Sequence, residues 1–230
     1  MKKKPVTQNF EMTLGVFFTQ MMAKLGFMKR DKTEFVKQGV TDKNITDAEA
    51  MLTEYSDIPT GDELLGMQMT TTEEKNTAAG ILHTSISEVI GRAAIKYNVN
   101  SGNYRQFGIS SLSEIDGGEL ATAARRVFRA GTKMATDLAT EGLTPAMLAT
   151  LKTNTEVYDG KLANQEDAIA NREIAAEERI EKANAIYAIM VKYCEKGKHI
   201  WVSTNQAKYN DYVIYDTPPS NPGTPPPPKA

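Results

Sequence analysis

Apolar residues recur at alternating three- and four-residue spacing through four long segments of the chain, which predicts amphipathic α-helices. The longest segment is 145–196. Thr144 can serve as its N-cap, Pro145 suits its first position, and no further proline follows before Gly197. One helix of this length would extend roughly 75 Å. Its apolar or small stripe comprises Leu148, Leu151, Thr155, Tyr158, Leu162, Ile169, Ala176, Ile180, Ala183, Tyr187, Met190 and Cys194.

Three shorter helices are predicted over 8–28, 71–97 and 119–141. The first presents Phe and Met residues on one side, which is typical of a core helix and also compatible with a membrane-surface or partner-binding helix. Capping-box spacing at Thr70/Glu73 and Thr71/Glu74 indicates the start of the second. The third stops at Gly142, so it and the fourth should be antiparallel neighbours. Its small stripe residues Ala124 and Gly131 would permit close helix packing.

The rest of the chain is less regular. Residues 29–70 read as an irregular helical connection, with short helices over 33–38 and 46–55 and a break over 57–62. Segments 199–202 and 209–215 suit extended structure, a small hairpin around 204–206, or an extended tail that packs its aromatics onto the bundle. Residues 217–230 are rich in proline, which predicts an extended, solvated tail.

These elements predict an all-α fold. We expect an antiparallel helical bundle of about four main helices, one very long (145–196), with an extended aromatic C-terminal segment. The bundle would be one domain over 1–216, followed by the tail at 217–230. The chain of 230 residues is 40% apolar, enough for one substantial core or two small ones.

Charge and cysteine content narrow the function classes. The net charge of -2 gives no overall basic field for nucleic acid, so no nucleic-acid partner is expected. No apolar run approaches the ~20 residues of a membrane span. Met1-Lys2-Lys3-Lys4 resembles the start of a signal peptide, but the run that follows, 14–18, is too short for a signal core. With one cysteine and no intrachain disulfide, the chain is predicted to be cytoplasmic.

The middle of the fourth helix departs from its apolar pattern. Gln165 occupies a stripe position, and Arg172 or Glu173 occupies the position where the three- and four-residue spacing predicts the next apolar residue. Either the helix projects beyond the bundle here, or it bends at Gly160 and becomes two helices. The third helix is about half as long, near 35 Å. Another helix, or a second protein chain, must therefore cover the remainder.

The sequence contains no recognised nucleotide-binding motif. The only histidines, His83 and His199, lack the Glu-x-x-His context of di-iron bundles, and too few Cys and His residues exist for a typical zinc site. Cys194 and His199 could form a nucleophilic pair, but Cys194 continues the apolar stripe and is better interpreted as a buried, inert thiol. We therefore predict no catalytic, cofactor-binding or metal-binding residues.

Two clusters of charge remain. Arg125, Arg126, Arg129 and Lys133 could bind phosphate, but a solvated face that pairs with the acidic fourth helix is favoured. The acidic group on that helix could bind cations, complement the basic face, or keep the helix solvated. It comprises Glu166, Asp167, Glu173, Glu177, Glu178 and Glu181.

Three stretches carry a resemblance to known sequences. They are Lys75-Asn76, the run from Asn171-Arg172-Glu173 through Arg179-Ile180 to Asn184–Tyr187, and 196–198 with 208–212. The chain resembles a group of uncharacterised bacterial proteins that look like all-helical bundles with a proline-rich end. The similarity covers most of 33–217. It implies the fold, and it implies no active site and no partner.

Two function hypotheses follow. The first is a non-enzymatic structural, assembly or protein-interaction bundle that self-associates or binds a protein partner. The over-long helix, its polar stripe positions and the tail favour it. The alternative is a small-ligand-binding or enzymatic bundle with a polar site near the middle of the fourth helix. That site would comprise Tyr158, Gln165, Arg172 and Glu173.

Overall fold

A computed structural model describes residues 5–108 and 112–215, and within these ranges every regular element is helical. The all-α prediction is confirmed. The α-helices are α1 (Leu14–Arg30), α2 (Lys32–Lys37), α3 (Asp42–Ser56), α4 (Gly61–Lys96), α5 (Gly102–Arg105), α6 (Gly117–Lys133), α7 (Ala135–Leu138), α8 (Pro145–Trp201) and α9 (Gln206–Asn210). Short 3-10 turns lie at Leu112–Glu114 and Ala139–Glu141.

The chain forms two compact units. The terminal unit combines Met1–Pro59 with Ala175–Ala230, and the central unit is Thr60–Ile174. Helix α8 therefore contributes residues 145–174 to the central unit and 175–201 to the terminal unit. The single domain expected over 1–216 stays a prediction. The predicted proline-rich tail at 217–230 lies outside the described residues.

Helix α8 has 57 residues and continues through Gly160, so the proposed division into two helices at that residue is wrong. Its length is about 85 Å. It also passes Gly197, where the sequence predicted its end. The ring of Tyr212 packs so closely on Gly197 that an added Cβ would lie 2.6 Å from Tyr212 Cδ1. Glycine at this position allows the Tyr212 ring to pack on α8 and does not end the helix.

Helix α4 begins ten residues earlier than predicted. Its capping box is formed by Thr60 and Glu63: Thr60 Oγ1 accepts from Glu63 N at 3.3 Å, and Glu63 Oε2 accepts from Thr60 N at 2.6 Å. Thr70 and Thr71 instead donate their hydroxyls to the carbonyls of Gly66 and Gln68 in the preceding turn. Residues 61–70 thus belong to a regular helix, and the irregular connection ends at Thr60.

The third predicted helix, 119–141, is interrupted. Helix α6 ends at Lys133, α7 follows, and a 3-10 turn leads to Gly142 with φ +85°. That left-handed conformation explains why glycine stands there. Neither the extended structure nor the small hairpin expected over 199–210 is present, because 199–201 continue α8 and Asn205 caps α9 by accepting from Lys208 N at 3.0 Å. Residues 211–215 form turns and bends, and the predicted aromatic packing is present at Tyr212, which is buried.

Helices α4, α6 and the first part of α8 enclose the core of the central unit, as their apolar stripes predict. Gly131 shows how closely they pack, since an added Cβ would lie 2.9 Å from Leu148 Cδ2 and 3.3 Å from Val89 Cγ1. The principal buried residues are Leu82, Ile86, Val89, Leu120, Ala124, Val127, Leu151 and Tyr158.

The core of the terminal unit is built from α1, α3 and the last part of α8. Helix α1 begins after its cap Thr13, and the preceding Phe10 folds back to stack on Phe17 with ring centroids 4.6 Å apart. The predicted interpretation of α1 as a core helix fits its burial. The principal buried residues are Phe17, Met21, Leu25, Met28, Leu52, Tyr55, Ala183, Met190 and Cys194.

Candidate functional site

The four residues of the predicted polar site do not converge on one point. Tyr158, Gln165 and Arg172 follow one another at seven-residue spacing along α8. Successive members are therefore about 10 Å apart along the helix axis. Glu173 is exposed on a neighbouring edge of the helix. The arrangement is a line of polar side chains along one side of α8.

Each member of that line has its own bonding partner. The buried Tyr158 hydroxyl hydrogen-bonds to Asp116 Oδ1 at 3.1 Å and to the Gly117 carbonyl at 3.3 Å. Burial, followed by the Asp116 carboxylate, raises the pKa of Tyr158 to about 12. The phenol is therefore neutral near pH 7 and acts as a hydrogen-bonding group.

Gln165 and Arg172 instead bind the facing helix α4. Gln165 Nε2 donates to Thr72 Oγ1 at 2.8 Å, and Arg172 donates to Gln68 Oε1 at 3.1 Å. The same pair of helices is joined at Lys161 with Glu74 (2.7 Å) and at Asn154 with Ser85 (2.7 Å). As the α8 number rises the α4 number falls, so the helices run antiparallel. Polar pairs of this kind fix helix register.

The lower half of this helix pair, formed by residues 61–74 of α4 and 161–174 of α8, has no core. Not one of these residues is buried. The stretch nevertheless carries large apolar side chains with high fractional exposure: Leu65 38%, Met67 60%, Met69 56%, Ile169 39% and Ile174 63%. The predicted stripe of α8 is thus correct at both ends of the helix and uncovered in the middle.

Three of the apolar residues in this stretch continue the side on which α6 packs in the upper half, and Met69 lies next to one of them. Leu162 and Ile169 lie one and two heptads beyond Thr155, which is buried. Leu65 lies two heptads before Ala79, also buried, and Met69 is one turn beyond Leu65. Helix α6 begins at Gly117, beside Tyr158, and so leaves this side open. We call the surface formed by Leu65, Met69, Leu162 and Ile169 the open groove.

Carboxylates follow one edge of the open groove. Asp159, Glu166 and Glu173 recur at seven-residue spacing on α8. The first forms an ion pair with Arg125 of α6. Glu166 and Glu173 are exposed, and within the described ranges neither forms an ion pair. Glu166 and Glu173 therefore stand beside the open groove as Asp159 stands beside α6, where it pairs with Arg125.

The basic cluster on α6 is divided among several partners. Arg125 makes the predicted pairing with the acidic helix. Arg126 donates to the Gly108 carbonyl at 2.8 Å, and Lys133 Nζ donates to Gln106 Oε1 at 2.9 Å. These two bonds hold residues 106–108 against α6.

A second polar cluster, which the sequence did not reveal, lies in the terminal unit. The side chain of Asp31 is 2% exposed. Its carboxylate accepts from Arg30 Nη2 at 2.7 Å, Lys208 Nζ at 2.8 Å and the Tyr212 hydroxyl at 2.9 Å. Burial alone would raise the pKa of Asp31, but these three hydrogen bonds outweigh it and lower the pKa to about 2. The contacts hold the C-terminal segment against α1.

Lys24 reinforces that attachment. Its ammonium donates to the carbonyls of Asp211 at 2.7 Å and Val213 at 2.8 Å. Burial lowers the pKa of Lys24, and the neighbouring Asp211 opposes this effect. Because the partners are nearly 190 residues apart in sequence, no local pattern could have indicated the cluster.

Cys194 is buried and His199 is exposed. Burial raises the pKa of the Cys194 thiol to about 12. The thiol is therefore protonated near pH 7. This supports the prediction of an inert core cysteine.

Two other features are absent from the described residues. Over 5–108 and 112–215, no three His, Cys, Asp or Glu side chains gather as a metal site requires. Within the same ranges, no helix combines the length and apolarity needed to cross a membrane. Comparison of the chain with protein-family models, with curated proteins and with solved structures finds no match.

Proposed function

We propose that the protein is a non-enzymatic assembly or interaction protein that binds a helix of another polypeptide in the open groove. The observation that carries this proposal is the uncovered lower half of the α4–α8 pair. Twenty-eight helical residues there contribute no buried side chain, although Leu65, Met69 and Ile169 are apolar and exposed. A cytoplasmic location, expected from the sequence, belongs to the same proposal.

Helix energetics support the proposal. Isolated helices shorter than about 12–15 residues are marginal in water, and most helical stability in proteins comes from packing an apolar face. The lower half of the pair is held by polar contacts such as Gln165 with Thr72 and Lys161 with Glu74. Exposed pairs of this type contribute about 0.2–1 kcal/mol each. A third helix in the open groove would add the apolar packing that this stretch lacks.

The alternative of a ligand or catalytic site at Tyr158, Gln165, Arg172 and Glu173 stays a prediction. Two of these residues, Gln165 and Arg172, are bonded to α4. We therefore interpret the line of polar residues as register-setting contacts that keep the open groove in one geometry.

The proposal is tested by co-purification from the organism that encodes the protein, together with sedimentation velocity of the purified chain. Wild type is compared with Ile169→Asp and with the control Ile174→Asp, which alters an equally apolar, more exposed residue on the back of α8. We expect a stoichiometric polypeptide, or a second copy of the chain, that Ile169→Asp loses and Ile174→Asp keeps. Association that is absent, or equally sensitive to both substitutions, would overturn the proposal.

A further inference from the structure

We infer that the occupant of the open groove is a basic amphipathic helix of a partner protein. This inference rests on the proposed function and specifies its partner. The apolar stripe of the partner helix would lie on Leu65, Met69, Leu162 and Ile169. Its cationic side chains would face Glu166 and Glu173 along the edge of α8.

Helix α6 provides the precedent within the same molecule. It covers the upper part of the same side of the α4–α8 pair with a stripe of apolar and small residues, including Leu120, Ala124 and Val127, all buried. It directs Arg125 to Asp159. The partner helix would continue this mode of packing by one to two heptads, with cations at the equivalent positions. The open groove is thus continuous with an established helix interface.

The charge of the stretch favours a basic partner. Residues 61–74 and 161–174 contain seven acidic residues and two basic ones. Both basic residues are engaged, since Lys161 pairs with Glu74 and Arg172 donates to Gln68. The field along the groove is therefore negative. Electrostatic complementarity of this kind raises association rates and selects among partners.

The same charges argue against a second copy as the occupant. A two-fold symmetric dimer places the same surface patch on both subunits. Dimerisation through the open groove would bring two copies of the same negatively charged surface together. Like charges brought together in this way oppose association. A partner of opposite charge avoids this repulsion and buries the same apolar side chains.

The length of the stretch defines the length of the partner segment. Fourteen residues of each helix are uncovered, which corresponds to about 21 Å. A partner helix of about four turns would fill the groove. Glu166 and Glu173 are two turns apart on α8, so the cations of a partner helix lying alongside should also recur at seven-residue spacing.

The test uses a defined probe. A fluorescein-labelled 14-residue peptide, acetylated and amidated, carries leucine at i, i+3, i+4, i+7 and lysine at the flanking positions. The matched peptide carries glutamate in place of every lysine. Fluorescence anisotropy measures their binding to the full chain at 50 and 200 mM NaCl. We expect the lysine peptide to bind at least tenfold more tightly than the glutamate peptide, and to lose affinity as salt rises.

Variants of the chain locate the binding surface. Glu166→Gln with Glu173→Gln should weaken the lysine peptide about threefold to tenfold, whereas the control pair Glu177→Gln with Glu178→Gln should not. Ile169→Asp should weaken it at least about tenfold, and Ile174→Asp should not. Circular dichroism and thermal melting verify that all four variants retain the wild-type fold, so that a loss of binding reports the surface.

Equal binding of the two peptides, or equal effects of the groove and control variants, would overturn the inference. Self-association of the chain that Ile169→Asp abolishes would assign the groove to a second copy, so the inference would fail while the proposed function stands. If the co-purification test also shows no association dependent on Ile169, the proposed function fails as well.

Discussion

The buried carboxylate of Asp31 attaches the C-terminal segment to the end of α1, and its replacement by asparagine should destabilise the terminal unit. Asparagine has nearly the same volume but carries no charge. In the variant, the cations of Arg30 and Lys208 and the hydroxyl of Tyr212 would lose their anionic acceptor. The change therefore tests electrostatics without opening a cavity.

The size of the effect follows from the exposure of the partners. Breaking a fully buried ion pair costs about 3–5 kcal/mol. Here the Asp31 side chain is 2% exposed, while those of Lys208 and Arg30 are 31% and 43% exposed, so water compensates part of the loss. We expect Asp31→Asn to reduce the free energy of unfolding by about 2–3 kcal/mol near pH 7. Tyr212→Phe, which removes one hydrogen bond to the carboxylate, should cost about 1–2 kcal/mol.

The dependence on pH gives an independent check. The pKa of Asp31 is lowered in the folded state, from 3.8 to about 2. The carboxylate therefore adds stability above its unfolded pKa, and this stability is lost as pH falls from about 4 towards 2. The corresponding contribution is on the order of 2 kcal/mol. Asp31→Asn should lack this component of the acid sensitivity.

Urea unfolding at pH 7 and at several values down to pH 2.5, followed by far-UV circular dichroism and tyrosine fluorescence, measures both effects. A double-mutant cycle of Asp31→Asn and Tyr212→Phe measures the interaction energy between Asp31 and Tyr212. A loss below about 0.5 kcal/mol at pH 7 would refute the reasoning. An unchanged difference between the unfolding free energies of wild type and variant from pH 4 to pH 2.5 would refute the lowered pKa of Asp31.

Two further predictions concern the helix and core of α8. Gly160 has open space around its Cα, whereas Gly197 packs against Tyr212. In urea unfolding, Gly160→Ala should therefore stabilise the chain by about 0.5–1 kcal/mol, and Gly197→Ala should destabilise it by about 1–3 kcal/mol. Equal effects of the two substitutions would contradict the packing described. Cys194 is buried with its pKa raised to about 12, so an aromatic disulfide reagent should modify it only as fast as the chain unfolds, and rapid labelling of the native protein would contradict its burial.

The helices and their buried faces were predictable where the spacing of apolar residues alone decides which face is buried. The stripes of α4, α6 and both ends of α8 are buried as their spacing indicates, including Leu82, Val127 and Met190. The beginning of α4 was not predictable, because Pro59 and Gly61 resemble a break, while Thr60 and Glu63 form a capping box as good as those at Thr70 and Thr71. Gly197 is ambiguous in a similar way, because a glycine can either end a helix or allow another group to pack closely on it. Only the distant Tyr212 ring shows that it serves packing.

The candidate site was predictable in part. The polar residues Gln165 and Arg172 interrupt the apolar stripe in the middle of α8, where the sequence predicted cover from another helix or another chain. The sequence could not show that they bond to α4 and that the apolar Ile169 beside them is exposed. Periodicity identifies a face that can be buried, whereas the tertiary fold decides how far a neighbouring helix extends. Helix α6 begins too late to cover this face.

Hydrogen exchange measured by mass spectrometry, with and without the lysine peptide, tests the open groove most directly. A stretch without buried side chains should open locally more often than the core of the same unit. We predict that amides of 61–74 and 161–174 exchange faster than those of 79–93 and 148–158 in the free chain, and that the peptide slows exchange selectively in the first two segments. Equal protection of both sets in the free chain, or protection by the peptide elsewhere, would contradict the account.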